Sequence, residues 1–213
     1  MVDRGLGEFC ILEAVRETSV TNRKATKLED EDLLIAVLNS APIVDGSPTD
    51  QLAVREGGEL AKRLGGTGAK SELLHLQQTR DALQDIIRGD PDAADCLASA
   101  LDKAVMLPEV TPDGIRWQLD APVDERLSAR VVLAWSHVVQ QLPGRLRACA
   151  NTECNLFLID HSRPATAKWC SMTTCGNRIK ARAHAQRARQ GDRFDRSSSA
   201  SASTPTGTLD SNR

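Results

Sequence analysis

The chain has 213 residues, room for one large domain or two modest ones, and 40% of them are hydrophobic, enough to build a core. Aromatic residues make up only 3% and tyrosine is absent, so that core must come from Leu, Val, Ile and Ala, a palette that favours helices over a β-sandwich. A net charge of −2 hides an asymmetry: 24 acidic and 15 basic side chains precede residue 145, whereas residues 145–196 carry 11 basic and 4 acidic ones. An acidic body with a basic end implies that the end meets a polyanion, or that the two parts attract each other. No apolar run approaches the ~18 residues of a membrane span. The early acidic residues Asp3, Glu8 and Glu13 do not suit a secretory leader. The expected setting is cytoplasmic, with no membrane partner.

In chain order, residues 1–32 form an uncertain extension. Phe9, Ile11, Leu12 and Val15 fit one side of a short helix, and the polar run to Asp32 reads as loop. Residues 33–143 read as a helical domain. Leu33–Leu38 is continuously apolar and so buried, with strand and helix indistinguishable by period. Pro42, Gly46 and Pro48 mark a loop. Asp50 to Leu64 reads as a helix with Leu52, Leu60 and Leu64 inward, weakened by Gly57-Gly58. Gly65-Gly66-Thr67-Gly68 lacks the Gly-Lys-Ser/Thr ending of a phosphate loop and reads as a linker. Ser71 is expected to cap a strong helix through Arg88, with Leu73, Leu76, Leu83 and Ile87 as its stripe and Leu74 and Ile86 widening it. His75 reads as an ordinary side chain, and Gly89-Asp90-Pro91 ends the helix.

Ala94 to Met106 is a further predicted helix, with Leu97, Leu101 and Val105 inward and Cys96 as a small core hydrophobe. Pro112-Asp113-Gly114 is a turn signal. Ile115, Trp117 and Leu119 then alternate with polar residues, as in a half-buried strand, and Leu107 and Val110 fall on its partner. A small β-hairpin is predicted here. Asp124 is expected to cap a helix to about Gln141, with Leu127, Val131, Trp135, Val138 and Leu142 on one face and His137 beside it. Pro143-Gly144 punctuates.

Beyond this point lie Cys149, Cys154, Cys170 and Cys175, two Cys-x(4)-Cys pairs separated by fifteen residues. Four thiolates close a tetrahedral shell around Zn²⁺ and leave no open position, so one structural zinc ion is expected rather than a catalytic one. Two disulfides, or four unrelated thiols, are the rival readings; duplicated spacing and a reducing compartment favour metal. The apolar Leu156–Ile159 run is expected as a strand between the knuckles, with Trp169 packing near the sulfurs. Gly176 is placed at a sharp turn, and Asn177 at the N-cap of a helix from Arg178 to about Gln190. Residues 191–213 read as a disordered Ser/Thr-rich tail.

The two pairs, Asp160-x-Ser162 between them, and Trp169-Cys170-Ser171-Met172 leading to Cys175-Gly176-Asn177-Arg178 and Lys180 together resemble the CGNR zinc finger. Pro164 stands where that family commonly has Asn, and Ala167-Lys168 where it often has two Arg. The resemblance implies a finger over 145–190 that ends a chain whose N-terminal part is a mainly helical ABATE domain. Leu33 to Ser40 is similar to the opening apolar-Val-Asn stretch of that domain, and Leu73 to Ile87 to its first long helix. Proteins of this kind are described as bacterial stress-induced transcription regulators. The implied fold class is mainly α with a small β-hairpin: a helical N-terminal domain plus a small C-terminal Cys₄ finger, zinc knuckles followed by a helix.

The predicted last helix carries Arg178, Lys180, Arg182, Arg187 and Arg189 among alanines. Such a helix can contact phosphates and guanine edges of double-stranded DNA; the bland alternative is a solvated helix. No aromatic residue interleaves the basic ones, which disfavours stacking on single strands. No nucleophile–base constellation stands out, so an enzyme is not expected. The leading expectation is a DNA-binding regulator whose N-terminal domain senses a small molecule or mediates assembly. The alternative is a finger that binds a protein partner or RNA. A ligand-binding or hydrolase-like N-terminal domain requires a cavity with convergent polar groups.

Overall fold

A computed structural model describes residues 29–187. By compactness the chain divides into two units after Cys170. The expectations for residues 1–28 and for the tail from 191 lie outside the described residues, as does Arg189.

The first unit opens with helix α1, residues 29–38. The acidic stretch expected as loop is therefore helical from 29 onward. Leu33, Leu34, Val37 and Leu38 bury one helical face, which settles the ambiguous apolar run as helix. Two of the acids before them are partly buried against histidines: Asp30 meets His137 and Glu31 meets His161, each at 2.9 Å. A two-residue hairpin follows, β1 (Ile43–Val44) against β2 (Ser47–Pro48). Its turn residues Asp45 and Gly46 have φ of 50° and 80°, the mirror-image turn that Asp-Gly favours. The stretch expected as plain loop thus carried a readable hairpin signal.

Helix α2 spans only Gly58–Arg63, shorter than the helix expected from Asp50. Residues 51–57 turn instead, because Leu52 must be buried and Gly57 lies against its backbone. A Cβ at Gly57 would stand 2.7 Å from the Leu52 carbonyl carbon. The Gly65–Gly68 segment is a built loop rather than a bare linker. It wraps the buried Glu72 carboxylate, which accepts bonds from the amides of Thr67 (2.8 Å) and Gly68 (2.6 Å) and from the Thr67 hydroxyl (3.1 Å). These glycines do cradle an anion, and the anion is the chain's own.

The expected Ser71 cap is not made: α3 spans Lys70–Arg88, its N-cap is Ala69 with no side-chain cap bond, and Glu72 ties down the loop just before it. Leu73, Leu76 and Leu83 form the buried stripe, while Leu74 is 43% exposed and does not widen it. Gly89, at φ 104°, closes the helix in the left-handed cap that glycine favours.

Helix α4 spans Ala94–Ser99 and stops well short of Met106. The reason is the hairpin beyond it. Strand β3 (Val105–Thr111) pairs with β4 (Gly114–Asp120) in full register, and this claims Val105 and Met106 as strand opposite Asp120 and Leu119. Cys96 is exposed rather than a core residue. The predicted hairpin and its Pro112-Asp113 turn are present, but the strands are not half-buried: Trp117 is 58% exposed and Val110 84%.

Helix α5 (Arg126–Gln141) starts at Glu125, not through an Asp124 side-chain cap; the Pro122 carbonyl takes the Glu125 and Arg126 amides. Leu127, Val131 and Val138 are buried, as expected. The core joins α1, α3 and α5, and Phe157 of the cysteine-rich segment lies within it at 1% exposure. No described helix is long and apolar enough to cross a membrane.

Candidate metal centre

The cysteine-rich segment is anchored to the core before it presents any sulfur. Strand β5 (Leu146–Ala148) pairs with β6 (Phe157–Ile159), so the predicted Leu156–Ile159 strand is present. Its apolar side chains enter the helical core. Asn39, at the end of α1, grips the β6 backbone at Phe157 through both its amide oxygen and its amide nitrogen. Asn155 does the reciprocal with Ala41 and Ile43. Arg88 stacks over the Phe157 ring with 4.9 Å to the centroid.

Between these antiparallel strands the chain must reverse direction. The Cys149 amide donates to the Leu156 carbonyl and the Cys154 amide to the Asn151 carbonyl, both at 2.8 Å. These two bonds hold the first knuckle. The central loop is organised by Asp160, whose side chain is fully buried. It accepts bonds from the Ser162 amide (2.8 Å), the Ala167 amide (3.0 Å) and the Arg147 guanidinium (2.7 Å). The Ser162 side chain first, then those amides and Arg147, outweigh the burial that would raise its pKa and hold the carboxyl below the ordinary range. Arg147 also donates to the carbonyl of Ala165, which fixes that residue at φ 54°. The Asp-x-Ser element of the motif is thus a loop clamp, and the Lys168 carbonyl at its far end takes the Ala150 amide at 2.8 Å.

The four predicted ligands come together. The sulfurs of Cys149, Cys154, Cys170 and Cys175 all lie within 4.8 Å of one another, with Cys149 and Cys175 buried. Cys154 and Cys170 sulfurs stand 3.7 Å apart. A tetrahedron of sulfurs at about 2.3 Å from Zn²⁺ has edges of about 3.8 Å, whereas a disulfide holds its sulfurs at about 2.05 Å. None of the four is in a disulfide, and the disulfide reading is set aside. The Cys170 amide points at the Cys149 sulfur at 3.5 Å, the type of donor that steadies thiolate charge. The donor set, the spacing and the burial suit one zinc ion in a closed, structural shell.

In the second unit, the last cysteine lies in a π-turn, Met172–Gly176, that runs straight into helix α6 over residues 177–187. Two expectations change here. Ser171, not Asn177, is the cap: its hydroxyl accepts the Thr174 amide, and Asn177 is already helical at φ −69° and ψ −38°. Gly176 is buried inside the π-turn and is not at a left-handed bend; its amide closes the turn on the Ser171 carbonyl at 3.0 Å. Trp169 is half-buried and lies outside the hydrophobic core cluster. Arg178, Lys180, Arg182 and Arg187 are all exposed on α6. The bonding roles of Asn39, Asn155 and Ser171 escaped the sequence reading. Only Ser171, two residues before a Thr and three before another, offered a local capping signal.

A separate cavity of about 240 Å³ lies in the helical body, lined by His75, Thr79, Cys96, Lys103, Glu125 and Ser128 among others. The His75 Nδ1 is spent on the Asp124 carbonyl at 3.1 Å. The buried Ser128 hydroxyl has no hydrogen-bond partner among the described residues.

Residues 145–188 match the family model of the CGNR zinc finger. No curated protein matches the chain. The finger that the cysteine pattern implied is therefore present, with a four-cysteine cluster suited to one zinc ion.

Proposed function

We propose that the protein is a zinc-dependent, DNA-binding regulator of transcription, of the stress-induced kind, in an ABATE-like arrangement. Zinc would fix the knuckle and the π-turn, and α6 would lie on duplex DNA with its basic side chains on phosphates and base edges. One observation carries this reading: Arg178, Lys180, Arg182 and Arg187 stand exposed on the helix that continues directly from the turn holding the last cysteine. The alanines between them leave room for close approach to a groove. The helical body, with its polar-lined cavity of about 240 Å³, would take a small-molecule effector. A catalytic role is not part of the proposal.

A salt titration of duplex binding tests it. Neutralising Z phosphates gives a log–log slope of about −0.9Z, so four or five contacts imply roughly −4. A flat response, or no duplex binding at low salt, contradicts the proposal. A second reading, a finger that binds a protein partner or RNA, is favoured by Met172, 52% exposed on the π-turn. Arg178→Ala with Arg182→Ala separates the two. Loss of duplex binding with zinc retained supports DNA; loss of a protein partner at unchanged DNA affinity supports the second.

A further inference from the structure

The β3–β4 hairpin lies outside the hydrophobic core, with β4 coming close to α5. Among the described residues, none from 105–120 belongs to the hydrophobic core or packs against it. An isolated two-stranded sheet is marginal in water; a third layer or strand is normally required. The register shows what is missing. Met106 opposite Leu119, Pro108 opposite Trp117 and Val110 opposite Ile115 fall on one face, since alternate pairs share a side. That face is entirely apolar and largely open to solvent: Met106 is 40% exposed, Val110 84%, Ile115 62% and Trp117 58%. The other face is mixed: the charged pair Glu109 and Arg116, with Gln118 bonded to Glu109 at 2.6 Å, lies beside the exposed Val105 and Leu107.

We propose that this apolar face is a dimerisation surface whose occupant is a second copy of the same chain. The face carries no charge, so two copies related by a two-fold axis stack it on itself without burying an unpaired ion. Two twisted sheets packed face to face at about 10 Å make a minimal sandwich, and each mixed face stays in water. The area suffices: six such side chains expose roughly 500 Å² per protomer, so a pair buries about 1,000 Å², the lower bound of a specific interface. Trp117 sits in the central pair of that face, where an aromatic anchor contributes most. Pro108 has no amide hydrogen to offer along the β3 edge, which disfavours strand addition there and leaves the face as the docking surface. The proposal does not rest on DNA binding.

Sedimentation equilibrium of the zinc-loaded full chain tests it. The expected mass at micromolar concentration is twice 23.1 kDa. Trp117→Glu is expected to weaken association about thirtyfold or more, with the circular dichroism of the helices unchanged. Val110→Glu, near the turn and the most exposed site of the face, is the second variant and is expected to do the same. Arg116→Ala, on the mixed face, is expected to remain a dimer. A wild-type chain that stays monomeric to about 100 µM, or a dimer that survives both glutamate variants, overturns the proposal.

Discussion

Asn39 and Phe157 lie 118 positions apart and exchange two hydrogen bonds: the Phe157 amide donates to Asn39 Oδ1 at 2.7 Å, and Asn39 Nδ2 donates to the Phe157 carbonyl at 3.1 Å. One side chain thereby satisfies a backbone amide and carbonyl on β6 that the short β5–β6 ladder leaves free. Asn39→Ala strips both and is expected to cost about 2–3 kcal/mol, since an unmet buried backbone group costs more than a hydrogen bond contributes. Asn39→Asp keeps the acceptor and is expected to cost less. Urea unfolding at fixed zinc checks both; equal, small losses would count against the pairing.

Asp50 and Arg80 make a two-pronged ion pair of 2.6 and 3.1 Å, with the Arg80 side chain only 6% exposed. Burial alone would raise the Asp50 pKa, but the Arg80 bonds, the Leu52 amide and Gln77 together bring it below the ordinary value. A depressed folded-state pKa stabilises the fold above the unfolded pKa of about 3.9 and is lost as pH falls through the lower, folded value. Asp50→Asn is expected to cost about 2 kcal/mol at neutral pH, less than a fully buried broken pair because Asp81 still holds Arg80. The gap between wild type and variant should begin to narrow below about pH 4 and close once the pH is under the lower, folded value. Measuring the difference between the two chains cancels the acid release of zinc. A gap that is constant from neutral to acid would refute the assignment.

The Glu72 loop gives a steric test. A Cβ at Gly66 would meet Glu72 Oε1 at 2.6 Å and Leu127 Cδ2 at 2.7 Å. Gly66→Ala is expected to destabilise by about 1–3 kcal/mol. Gly46→Ala, where the Cβ meets nothing, isolates the cost of a left-handed φ alone. Thermal unfolding of the two variants should rank Gly66→Ala the lower. The reverse order would show that the carboxylate is not seated in that loop.

The cysteine spacing made the metal ligands legible because metal chemistry is local: short spacers turn paired sulfurs inward whatever surrounds them. The long amphipathic helices were legible for the same reason, a period visible within one window. What was not legible depended on distant partners. Nothing near Asn39 announces Phe157, and nothing near Ser71 shows that α3 would begin before it, at Lys70, with Glu72 folded back onto the glycine loop. The Ala94–Met106 helix failed where a strong seven-residue pairing outcompeted a modest helical pattern. The exposure of Ile115 and Trp117 contradicted their alternating pattern, since alternation states that one face wants cover but not that the same chain supplies it.

The central claim is that one zinc ion held by Cys149, Cys154, Cys170 and Cys175 shapes the finger. Titrating the native protein with a thiol-reactive mercurial while a metallochromic dye records released zinc tests it most directly. One zinc per chain is expected, released in step with the modification of four thiols and distinct from the reaction of the two other thiols, Cys10 and the exposed Cys96. No zinc in the native protein, or zinc released without the loss of those four thiols, would contradict it.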